Sequence, residues 1–186
     1  MGKEIDPELL RKLLRYEPET GKLFWLPRTP DLFHDTTDRR GVNWCCQAWN
    51  GKNAGREAFT ANSAGYRMGA VFGRNYGAHR VAWALTSGSW PKMIDHINGD
   101  RSDNRLANLR SVSRLENQRN MKRGSDNKSG QTGVGWDSSR DRWVAAIGVG
   151  GRTDHIGRFD KKADAIAARK QAERDFGFHP NHGRAA

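Results

Sequence analysis

The stretch "IDHINGDRSDNRLANLRSVSRLENQRN", residues 94–120, decides how this chain is read. The apolar run "MIDHI" just at its start reads as a short strand. "NGD" follows as a turn signal. From about Ser113 the segment reads as a helix, so Asp95, His96, Asn108 and Asn117 fall at the seams of a strand, a loop and a helix. A neutral imidazole is a suitable base near physiological pH. Short carboxylates and carboxamides offer hard oxygen donors of the kind magnesium or manganese takes. On a strand, Asp95 and His96 point to opposite faces. That arrangement suits a substrate with a metal on one side and a water on the other. Asn98 and Gly99 read as turn residues, and Asp103 and Asn104 as residues that cap or brace the loop.

Composition points to a polyanionic partner. Lys and Arg number 32 against 21 Asp and Glu, a formal charge of +11, and nucleic acid is the commonest partner for such a surplus. Only 35% of the 186 residues are hydrophobic, which favours two modest cores over a single large one. No stretch approaches the roughly 20 apolar residues of a membrane span. The start, "MGKEIDPELLRKLLRY", is charged and lacks a signal-peptide core. An intracellular, cytoplasmic protein with no membrane partner is expected. Cys45 and Cys46 are adjacent, which is not zinc-site spacing, so free thiols and no structural zinc are expected.

Upstream of the polar stretch, Asp6 and Pro7 predict the start of an amphipathic helix with Leu9, Leu10, Leu13 and Leu14 on one face. "PETG" reads as a turn and "KLFWL" as a strand. Residues 30–65 lack periodicity and read as irregular, with short strands at most. "GYRMGAVFG" and "NYGAHRVAWAL" predict a hairpin turning at Gly73 to Asn75, then a helix ending near Gly88. Downstream, "RGSDNKSGQTG" has linker composition. The remainder predicts three short strands and an Ala-rich helix closed by Gly177.

The run "DHINGDRSDNRLANLRSVSRLEN" resembles the HNH motif of the ββα-metal, or His-Me finger, endonucleases, and is most similar to the phage and intron-encoded homing enzymes. Asn108 lies 12 residues after His96 and Asn117 lies 21 after it, as in those enzymes. The resemblance implies His96 as general base, Asp95 and Asn117 as metal ligands, and Asn108 as the residue that holds the loop and the His. Asn120 rivals Asn117, although the spacing favours Asn117. "AHRVAWAL" is similar to the segment that precedes the motif in these enzymes. By that likeness His79 contacts phosphate or packs as a support, with Arg80 beside it as a DNA contact. The cofactor implied is Mg2+ or Mn2+. In the absence of a zinc staple, the core is expected to rest on Trp83, Leu85, Ile94, Leu106, Leu109 and Val112.

The tail resembles the AP2 domain through "SGQTGVGW", "RWVAAI", "GRF" and the Ala-rich helix. That fold lays a three-stranded sheet in the DNA major groove, where base edges are distinguishable. Alternation assigns Val134, Trp136, Trp143, Ala145 and Ile147 to the core, and Arg142, Val144 and Ala146 to the open face. Candidate DNA contacts are Ser138, Arg140, Arg142, Arg152, Thr153, His155 and Arg158, with Lys122, Arg123 and Lys128 tracking phosphates. Ala146, Gly148 and Gly135 stand where plant members carry larger residues, which favours backbone contact over a stringent base code.

The expected architecture is α+β: an HNH nuclease domain over 1–122 with its motif core at 66–122, a linker over 123–129, and an AP2-like domain over 130–182. The expected activity is metal-dependent hydrolysis of a phosphodiester in double-stranded DNA, by nicking or double-strand cutting, as a monomer or homodimer. The rival readings are a non-catalytic DNA-binding repressor with a decayed nuclease domain, and an enzyme that acts on RNA. The major groove of A-form RNA hides its base edges from such a sheet.

Overall fold

The computed structural model describes residues 4–33 and 37–184. The chain is mixed α+β and divides into two compact units, Met1–His96 with Asp100–Ser111, and Ile97–Gly99 with Val112–Ala186.

The first unit opens with α1 (Pro7–Leu13), capped by Asp6, whose Oδ1 accepts the Glu8 N–H at 3.0 Å. Leu10 and Leu13 are fully buried, and the chain turns extended at Leu14 to begin β1 (Leu14–Glu17). β1 pairs antiparallel with β2 (Lys22–Trp25). Gly21 closes the turn between them at φ 73°, and a Cβ there would lie 2.6 Å from the backbone of Asn104 and Arg105. Only glycine allows this approach, which braces the later loop.

Residues 30–65 are not irregular throughout. A 3-10 turn (Pro30–Phe33) leads to α2 (Gly41–Asn53), although residues 34–36 lie outside the described residues. The inward residues Cys46, Trp49, Asn50 and Asn53 do follow helical spacing. They escape an apolar-pattern search because two are asparagines. Asn50 exchanges hydrogen bonds with the Arg28 backbone at 2.8 and 2.9 Å, and the Cys46 thiol donates to the Arg28 carbonyl. Trp49 meets Trp25 edge-on at 5.5 Å.

β3 (Glu57–Ala58) completes the first sheet, and β4 (Ala61–Ser63), β5 (Tyr66–Val71) and β6 (Arg74–Gly77) form a second. Val71 pairs with Arg74, so the β5–β6 turn is Phe72-Gly73 rather than Gly73 to Asn75. α3 (Ala78–Ser87) ends at Gly88 in the left-handed conformation. β7 (Ile94–His96) and β8 (Leu109–Ser111) make a two-stranded ladder, joined through a loop and a 3-10 turn (Leu106–Asn108). β8 has no counterpart in the sequence reading.

The core of this unit is Leu10, Leu13, Leu14, Leu23, Ala58, Phe59, Val71, Ala78, Val81 and Ala84. Of the residues expected there, Leu109 is buried, while Trp83, Leu85, Ile94, Leu106 and Val112 are only half-buried. The N-terminal helix and first sheet carry the core instead.

In the second unit, α4 (Arg114–Gln118) begins at a capping box: the Glu116 N–H donates to Ser113 Oγ, and the Ser113 N–H donates to Glu116 Oε2. β9 (Val134–Asp137), β10 (Arg142–Val149) and β11 (Arg152–Phe159) form an antiparallel sheet in the order β11-β10-β9. α5 (Lys162–Asp175) packs on it through Ala165 and Ile166, against Val134, Ala145, Trp143, Ile156 and Phe159. Trp136 departs from expectation. It pairs with Trp143 across the strands and touches its ring, yet it is 48% exposed. It sits on the edge strand β9, outside the buried cluster that α5 covers. Arg169 is 2% exposed and ties the unit together, donating to the carbonyls of Thr132 and Ala146 and pairing with Glu173 at 3.1 Å. Among the described residues no helix is long and apolar enough to cross a membrane.

Candidate active site

The β7–β8 ladder sets the site. Its register places Asp95 opposite Arg110 and His96 opposite Leu109. Directly paired residues share a face, so Asp95 and Arg110 lie on one side of the ladder and His96 and Leu109 on the other. Asp95 and His96 are both buried, at 8% and 5% exposure. The Arg110 guanidinium donates to Asp95 Oδ2 through Nη2 at 2.6 Å and Nε at 3.0 Å. Asp95 is thereby held as an oriented carboxylate.

The His96 ring lies against His79 at 5.2 Å and Tyr66 at 6.0 Å between centroids. Its Nε2 lies 3.3 Å from Asn104 Oδ1. Burial pushes the His96 imidazole below its ordinary range, while the Asn104 hydrogen bond and the carboxylates of Asp95, Asp100 and Asp103 pull the other way. The net direction favours a neutral ring, the form able to accept a proton. His79 is pushed down to about 4, first by burial and then by His96 and Arg80. Its Nδ1 is buried without a hydrogen-bond partner. Arg80 pairs with Glu4 at 2.8 Å.

Asn108 is 7% exposed and braces the loop, its Nδ2 donating to the Asp103 carbonyl at 2.8 Å. Asn117 lies on α4, in the second unit. Its rival Asn120 is 2% exposed and accepts from Arg184 at both its backbone carbonyl and Oδ1, which marks it as structural. Among the described residues no group of three or more His, Cys, Asp or Glu is placed to hold a metal ion.

The candidate DNA contacts Ser138, Arg140, Arg142, Arg152, Thr153, His155 and Arg158 are exposed in the second unit, as are Lys122 and Lys128. The register sets Arg158 opposite Val144, His155 opposite Ala146 and Thr153 opposite Gly148. Arg142 pairs with Asp160 at 3.0 Å, and Arg140 and Arg158 approach Asp137 at 3.3 and 3.9 Å. Arg123 is half-buried and donates to the Gly130 carbonyl.

Sequence reasoning missed Arg110 and gave Asn104 only a loop role. The signal for Arg110 was available: once "NLRS" is read as a strand paired with "IDH", a basic residue falls opposite Asp95.

Residues 76–119 match the family model for HNH endonucleases. The matched segment runs from β6 through α3 and the β7–β8 ladder to just beyond α4. The chain is also similar to Protein 3.8 of Escherichia phage T7, with 36% identity over 76 residues. That alignment covers 40% of this chain and 63% of the phage protein, so the chain spans less than two thirds of the relative's length. No solved structure matches the chain.

Proposed function

We propose that this protein is a metal-dependent endonuclease that hydrolyses a phosphodiester of double-stranded DNA, with His96 as its general base. The observation that carries this reading is the Asp95–His96 pair, two buried groups on opposite faces of one strand inside the segment that matches the HNH family. His96, favoured neutral by burial, takes a proton from the water that attacks phosphorus. Asp95 and, by its spacing in the sequence, Asn117 offer the oxygen ligands. A small set of hard donors fits magnesium or manganese, which complete their shells with water and substrate phosphate. When bound, such a cation supplies charge stabilisation at the phosphoryl and leaving 3′ oxygens. Asn108 keeps the loop closed behind His96, and His79 and Tyr66 wall the ring.

The second unit supports a duplex-binding role in the manner of an AP2 sheet. Val144, Ala146 and Gly148 add little side-chain bulk opposite Arg158, His155 and Thr153, with a register shift between Ala145 and Ala146. The carboxylates beside Arg140, Arg142 and Arg158 reduce the sheet's net positive charge, which favours modest specificity. The phage relative fits a phage-borne, intracellular setting.

Incubating supercoiled plasmid with the protein and magnesium, manganese or EDTA tests the reading. Open-circle or linear product that appears with metal and not with EDTA supports it. Retardation of duplex DNA without cutting under all three conditions favours the binder, and cutting confined to RNA favours the third reading.

A further inference from the structure

The loop between β7 and β8 holds a buried carboxamide whose orientation is settled by its own neighbours. Asn104 is 3% exposed. Its Nδ2 donates to the Ser102 carbonyl at 3.1 Å, so the amino group is committed there and Oδ1 must face the other way. Oδ1 faces His96 Nε2 at 3.3 Å. An amide oxygen can only accept, so the ring nitrogen that meets it must carry a hydrogen. We propose that Asn104 is the positioning residue of His96: it holds the neutral imidazole in the Nε2–H tautomer and so assigns the lone pair, and the base function, to Nδ1. The proposal rests on the reading of His96 as the base.

Asn104 is itself fixed from the N-terminal hairpin. The Tyr16 hydroxyl donates to the Asn104 carbonyl at 2.7 Å, and the Leu106 N–H donates to the Pro18 carbonyl at 3.1 Å. Gly21 packs where no side chain would fit, against the backbone of Asn104 and Arg105. The β1–β2 turn thus fixes the one amide that meets the His96 ring, and Asn104 acts through His96. A base held in the wrong tautomer presents an N–H to the attacking water and cannot take its proton.

Long-range 1H–15N correlation of the imidazoles, above the titration of His96, reads the tautomer directly. The His96 signals are assigned by their loss in His96→Gln. The expected wild-type pattern is one protonated Nε2 and one unprotonated Nδ1. In Asn104→Ala the single pattern should give way to a mixture. Single-turnover cleavage should fall about 10- to 100-fold with DNA affinity unchanged, the usual loss when an orienting partner is removed. Asn104→Asp, which keeps an acceptor, should restore the Nε2–H pattern. A wild-type ring protonated on Nδ1 overturns the proposal without reference to any variant, as does an unchanged pattern in a folded Asn104→Ala. Failure of the underlying reading looks different: His96→Gln would then cut as the wild type does, whichever tautomer the spectra show.

Discussion

Arg110→Met separates the two tasks of the Asp95 carboxylate. Arg110 gives Asp95 two charge-assisted hydrogen bonds, at 2.6 and 3.0 Å, across the β7–β8 ladder. The side chains are 30% and 10% exposed. Removing one partner of a fully buried pair costs about 3–5 kcal/mol, and an exposed pair contributes about 0–1 kcal/mol. With the guanidinium partly in solvent and the carboxylate nearly buried, a loss of about 1–3 kcal/mol follows. Methionine keeps an apolar stem of similar reach, so the loss reports charge more than packing. A divalent cation at Asp95 must share that carboxylate with Arg110 or displace it, so the variant should bind metal more tightly. Ligand at 100 times its dissociation constant stabilises by about 2.7 kcal/mol. Urea unfolding followed by tryptophan fluorescence suits the test, because Trp25, Trp44, Trp49, Trp83 and Trp90 all lie in this unit. In EDTA the variant should be the less stable protein, and magnesium should recover more stability for it than for the wild type. Adding Asp95→Asn to Arg110→Met should cost little more, since the carboxylate charge is then removed along with its guanidinium. A variant that magnesium stabilises no more than it does the wild type would refute this reasoning.

Acid should loosen the first unit through its paired histidines. His79 titrates at about 4 when folded against 6.5 as an ordinary histidine, and His96 is lowered in the same direction. The unfolded chain therefore binds protons first, and stability is full above about 6.5 and falls as pH drops towards about 4. His79 alone accounts for up to about 3 kcal/mol of that fall. Urea midpoints measured from pH 7 to pH 4 should slope less in His79→Phe, and parallel slopes would contradict the assignment. In the second unit, Arg169→Leu leaves Glu173 without its ion-pair partner, with only the Gln131 amide still donating to it, and removes the Arg169 donor from two carbonyls. A loss of about 3–5 kcal/mol is expected. Hydrogen exchange should show β9, β10, β11 and α5 exposed together while α1 and β2 stay protected, and loss of protection in both units would argue against a local role.

Local signals carried the sequence reading where structure is local. Asp6 and Pro7 announced α1, Gly88 closed α3, and the apolar run "MIDHI" yielded β7 with Asp95 and His96 on opposite faces. What stayed hidden depends on residues far apart in the chain. Arg110 matters because a 15-residue separation closes into a cross-strand pair. Asn104 matters because Tyr16 and Gly21, more than 80 residues earlier, fix its backbone. α2 was missed because its inner face is held by Asn50 and Cys46 bonding to the Arg28 backbone, in place of an apolar stripe. Trp136 misled for the opposite reason. Alternation puts it on the face of Val134, but the helix buries Val134 at the start of β9 and leaves Trp136, two residues on, 48% exposed.

The central claim is that His96 is the base of a metal-dependent cut, and cleavage of supercoiled plasmid by wild type and His96→Ala tests it most directly. Both proteins are first matched for duplex binding, then incubated with magnesium, manganese or EDTA. The account predicts that the wild type converts plasmid to open-circle or linear form only with metal, and that His96→Ala binds equally well and leaves the plasmid supercoiled. Equal cutting by both proteins in the presence of metal would contradict it.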